Sequence, residues 1–108
     1  MAEFEEKRAA QRFPINPQST CDFASPVLED FGPVKIRNVS TDGIGLMISQ
    51  PVAPGMLMAI NLKNPAKKFS KTMLVRVIHV APQPGGTFIM GGSFVTPLSY
   101  EELCLLVM

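Results

Sequence analysis

Residues 34–49, "VKIRNVSTDGIGLMIS", decide the fold. Two apolar runs flank Thr41-Asp42-Gly43, and an Asp-Gly pair between such runs is a strong short-range hairpin signal. The stretch predicts one strand over residues 34–40 and its partner over residues 44–49. Working outward, further strands are expected over residues 19–24, 57–62, 73–80 and 87–95, the fifth being rich in β-branched side chains. "QPVAPG" and "APQPGG" punctuate them, and "KNPAKKFSK" reads as a polar loop. Six short antiparallel strands in so short a chain would close most economically into a small all-β barrel, which removes exposed edges.

The end of the chain reads differently. In "TPLSYEELCLLVM", Ser99 and Glu102 have the spacing of a capping box before an apolar segment. A C-terminal α-helix should start near Ser99 and lay its apolar residues over the open end or side of the barrel. The chain of 108 residues supports one core, so we expect a single domain over residues 1–108. Its parts would be a flexible leader (1–18) with few apolar residues to anchor it, a β-barrel (19–96) and the helix (97–108).

Composition narrows the function. With 46% hydrophobic and 18% charged residues the chain is a folded globular one. The net charge of +1 supplies no global field for nucleic acid or anionic membrane, so any anion site is local. "LCLLVM" is far short of the roughly 20 apolar residues that span a bilayer. "MAEFEEKR" lacks the apolar stretch of a secretion signal. Cys21 and Cys104 have no metal-ligand spacing and read as reduced thiols of a cytoplasmic protein.

Two polar islands remain. In "KRAAQRF", Arg8 and Arg12 stand at i and i+4. They share a face in a helix and a side in an extended segment, with Cα atoms about 6 Å or about 13 Å apart respectively. A guanidinium offers a planar fork to phosphate and to the guanine O6/N7 edge. The same residues also fit a solvated leader with surface ion pairs worth little. In "NVSTDG", Asn38 and Ser40 are two apart on a strand and are expected on one face, with the donors and acceptors that a purine edge needs. Gly43 is expected at positive φ, letting a ligand approach the backbone closely. A plain hairpin turn accounts for the same residues without any ligand.

Taken together, Arg8-x-x-x-Arg12 followed by Asn38-x-Ser40-x-x-Gly43 resembles the pattern RxxxR … [D/N]xSxxG of the PilZ domain family. Gly91 and Phe94 in "MGGSFV" look like that family's glycine-x-x-phenylalanine strand. The resemblance covers nearly the whole chain. It implies a six-stranded β-barrel with a C-terminal helix that binds the bacterial second messenger cyclic di-GMP. By resemblance, Arg8 and Arg12 would clasp phosphates and guanines, Asn38 and Ser40 would hydrogen-bond a guanine, and Gly43 would keep the turn low. Asn38 stands where Asp is commoner, at the expense of a charge-assisted acceptor. Binding would order the leader across the barrel and signal to a partner protein or an attached domain.

Other chemistry is set aside. His79 is the only histidine, which excludes a multi-histidine metal site, and it reads as solvent-facing or packed. Asp22, Glu29 and Asp30 have no metal-loop or paired-carboxylate spacing. We expect no enzyme, no cofactor, no metal and no membrane insertion. The lysines around Phe69 allow a small-barrel nucleic-acid binder, though the charge balance argues against one. An interaction-only adaptor of the same fold is the other alternative, and "LCLLVM" leaves room for a homodimer.

Overall fold

The computed structural model describes residues 11–23 and 34–108; Arg8, Glu29 and Asp30 lie outside them. The strands are β1 (Phe13–Pro14), β2 (Thr20–Phe23), β3 (Val34–Val39), β4 (Gly43–Ile48), β5 (Leu57–Asn64), β6 (Phe69–Pro82) and β7 (Phe88–Phe94). One helix follows, α1 (Tyr100–Val107). The described strands form one 7-stranded antiparallel sheet in the order β1-β3-β4-β7-β6-β5-β2, curled into a half-barrel. β2 folds round to approach β3 without a ladder to it.

The central hairpin forms where the Asp-Gly signal puts it, with Val34 opposite Ile48 and Val39 opposite Ile44. The strand count is seven among the described residues rather than six, because part of the leader is itself a strand. Phe13 pairs with Val39 and Pro14 with Asn38. Phe13 and Ile15 pack against the core, and these two apolar anchors hold residues 11–18 along the barrel. The predicted polar loop also shrinks. Lys63 and Asn64 belong to β5 and residues 69–71 to β6, leaving a 3-10 turn at Pro65–Lys67 closed by Lys68 at φ 55°. Phe69 is half-buried against the core rather than presented to solvent.

The core follows from alternation. Ile44, Leu46 and Ile48 of β4 point inward with Met58, Ile60 and Leu62 of β5 and Met73, Val75 and Val77 of β6. Each such side chain contributes about 1.5–3 kcal/mol by leaving water. Leu98, Leu103 and Leu106 close the core from the helix side. Ser99 caps α1 as its spacing predicts: Glu102 N donates to Ser99 Oγ (3.0 Å) and Ser99 N donates to Glu102 Oε1 (2.9 Å). The far end of the helix is satisfied by other elements. Asn64 Nδ2 donates to Leu105 O, and Ser19 Oγ and Asn16 N donate to Leu106 O.

Candidate functional site

Two irregularities shape the outer face of the sheet. In β3 the register shifts between Ile36 and Asn38, so Arg37 is an extra, bulged residue. In β6 it shifts between Val77 and His79, so Ile78 is bulged. A bulge reverses which face the following residue meets. Strict alternation would bury both Asn38 and His79, since Ile36 and Val77 face the interior. The bulges instead turn both outward. They act at one level of the sheet, because Asn38 pairs with Gly45, Gly45 with Gly91, and Gly91 with His79. One row thus crosses four strands with polar side chains at its ends and glycines between.

The next row on this face is Gly43, Ser93 and Arg76. Arg76 Nη1 donates to Gly55 O at 3.1 Å. Arg12 enters from the leader, one residue before β1. Its Nη1 donates to Asn38 Oδ1 at 2.8 Å, and the guanidinium spreads over β4. A Cβ on Gly45 would stand 2.7 Å from Asn38 Oδ1 and 3.5 Å from Arg12 Nη1, and one on Gly43 would stand 3.5 Å from Arg12 Nη2. From the other side, the His79 ring lies over Gly91: a Cβ there would meet Cε1 at its closest and Nδ1 and Nε2 at 2.8 Å. Glycine is therefore required along this floor for space, so that side chains rooted on the flanking strands can lie flat over it.

The predicted site residues divide. Arg12, Asn38 and Gly43 come together on the outer face. Arg8 falls outside the described residues. Ser40 is 2% exposed, and its hydroxyl is engaged within the hairpin turn. It accepts from Gly43 N (3.1 Å) and Asp42 N (3.2 Å) and lies 3.4 Å from Gly43 O. The expectation that Asn38 and Ser40 share a face is thus corrected: β3 ends at Val39, and the chain turns inward at Ser40. Gly43 is corrected too. It does not have the positive φ seen at Gly55, Gly85 and Gly86. Ser40 already ties the turn amides, and Gly43 is needed because a Cβ would come within 2.5 Å of Gly92 O. The turn is clamped further by Phe94 N to Asp42 O (2.7 Å) and Leu98 N to Thr41 O (2.9 Å). Phe94 itself is a core residue, 7% exposed.

Sequence reasoning missed Gly45, Ser93, Arg76 and above all His79. The missed signal was available: "MLVRVIH" alternates inward at Met73, Val75 and Val77 and then offers a histidine where an apolar side chain is due.

The basic residues near Phe69 form no comparable site. Lys63 pairs with Asp22 and Lys71 with Glu102. Among the described residues no cluster of metal-ligating side chains occurs, and no helix is long and apolar enough to cross a membrane. Cys21 and Cys104 are free thiols; burial, with Asp22 beside it, pushes the Cys21 thiol up to about 12. No protein-family model and no curated protein sequence matches the chain.

Proposed function

We propose that the protein is a non-enzymatic receptor for cyclic di-GMP, built on a PilZ-like barrel and working in the bacterial cytoplasm. One observation carries the reading. Arg12 and Asn38, 26 residues apart and drawn from the two halves of the motif, are joined by a hydrogen bond over a glycine floor. A dinucleotide with two phosphates and two flat bases needs positive charge, a low surface and edge-reading groups in one place. Arg12 supplies the charge and the fork. Gly43, Gly45 and Gly91 keep the surface low, and the amide of Asn38 offers donor and acceptor together. Ser40 holds the turn that sets Asn38 and Gly43 in register, so its part is to position rather than to touch. Arg8 joins Arg12 on the ligand in this reading, and the part of the leader before Arg12 closes across the site to present a new surface to a partner protein or an attached domain.

Hydrogen exchange with and without cyclic di-GMP tests this output. The expected result is added protection over residues 7–13 and in the hairpin turn at residues 40–43. Saturating ligand that leaves residues 7–13 unchanged contradicts the closure.

A further inference from the structure

We infer that His79 is a ligand-contacting residue, and that Arg12 and His79 grip a purine nucleotide from opposite sides of the glycine floor. The inference rests on the receptor reading and extends it to a residue outside the motif. Three observations carry it. The Ile78 bulge breaks the inward alternation of Met73, Val75 and Val77, so that Val80 and not His79 is the next residue to pack against the core. The same shift turns His79 outward, onto the row that Asn38 occupies at the other end. Bulges at this kind of place re-aim a side chain.

The second observation is the glycine beneath the ring. Any side chain on Gly91 would collide with the imidazole, so Gly91 and His79 are fitted to each other as Gly45 is to Asn38 and Arg12. Gly45 and Gly91 are directly paired on strands about 4.8 Å apart, which puts the guanidinium and the imidazole over adjacent strands. The third is the state of the ring. It is exposed, and among the described residues no hydrogen bond engages its nitrogens.

An exposed imidazole beside a guanidinium is a pairing suited to a nucleotide. Histidine is among the aromatic side chains on which unpaired bases stack, and its nitrogens reach a base edge or a phosphate oxygen. Arginine takes the phosphate. The pairing predicts recognition of base and phosphate together, so ribose 5-phosphate, which has no base, should bind poorly.

The sequence contains one histidine, so in untagged protein the imidazole proton resonances report on this ring alone. Cyclic di-GMP is titrated into wild type, His79→Ala, Gly91→Ala and Arg12→Ala, with calorimetry for affinity and the imidazole Cε1–H resonance for contact. The expected result is a saturable shift of that resonance, with affinity weakened at least about tenfold in His79→Ala and in Gly91→Ala, whose new methyl displaces the ring. Melting temperature should stay within about 2 °C in His79→Ala. If cyclic di-GMP binds in an Arg12-dependent manner while the resonance stays fixed and His79→Ala binds within about twofold of wild type, the inference is overturned and the receptor reading stands. If cyclic di-GMP does not bind, the receptor reading fails, and GMP and AMP are titrated instead. An Arg12-dependent imidazole shift with either keeps the grip on purine nucleotides; no shift with either overturns it as well.

Discussion

The two halves of the sheet follow different rules. In β5 and the first half of β6, from Leu57 paired with Arg76 to Asn64 paired with Phe69, the register is unbroken. Inward apolar residues alternate regularly with outward ones, and α1 covers the end of that half. Across β3, β4, β7 and the second half of β6 the outward face is glycine-rich, and a bulge interrupts the alternation on either flank. Regular alternation is the cheapest way to fill a core. The bulges keep Val39 and Val80 on the core side while turning Asn38 and His79 outward, and the outward glycines shape a low surface walled by Arg12 and Asn38 on one side and His79 on the other. Both halves fill the core; the second also carries the low outward surface.

Substitutions should separate the halves. The largest effect expected is on ligand affinity. Arg12→Ala removes a charge-assisted contact worth about 1.5–3 kcal/mol, so cyclic di-GMP should bind about 10- to 100-fold more weakly in calorimetry, with little change in melting temperature. Arg76→Ala, one row further on, should weaken binding by less. A result in which both lose equally would extend the site along the second row.

Next comes a stability effect within the second half. Gly43→Ala forces a methyl against the Gly92 carbonyl, and denaturant unfolding should show a loss of about 1–3 kcal/mol. Gly91→Ala meets the movable His79 ring first, rather than backbone, and should unfold nearly as wild type does. Equal destabilisation by the two would mean that Gly91 serves the core and not the surface.

In the regular half, which α1 covers, Ser99→Ala opens the capping box and should lower stability by about 1 kcal/mol while leaving binding unchanged. A smaller effect concerns Glu102. Its hydrogen bond from Lys71, and then the one from the Ser99 backbone, hold its carboxyl below the ordinary value of 4.5. The folded state therefore favours the ionised form. The resulting stability is present above pH 4.5 and is lost as the pH falls through the lower folded value. Because the pair is partly exposed, thermal melts of wild type and Glu102→Gln should differ by only about 2 °C at pH 7, converging once the pH falls below the lowered folded value.

Much of this organisation was legible in the sequence. Asp42-Gly43 marked the central hairpin, and Ser99 with Glu102 marked the helix start, because both signals are local: each is met by hydrogen bonds within a few residues. The juxtaposition of Arg12 with Asn38 was expected only through the two-part motif. What remained hidden depends on register. A strand pattern cannot say where a residue is added unless the break in alternation is itself taken as the signal, as at Asn38-Val39 and again at Ile78-His79. Phe13 and Ile15 illustrate another limit. Two apolar residues are enough to pin residues 11–18 when a half-barrel has an edge to pair with.

The most direct test of the central claim is a calorimetric titration of cyclic di-GMP into the wild-type domain, with Arg12→Ala and GTP as controls. The account predicts saturable binding of cyclic di-GMP that is lost or severely weakened in the variant and is not reproduced by GTP. A folded wild-type protein that gives no saturable binding, or one that binds equally well without Arg12, would contradict it.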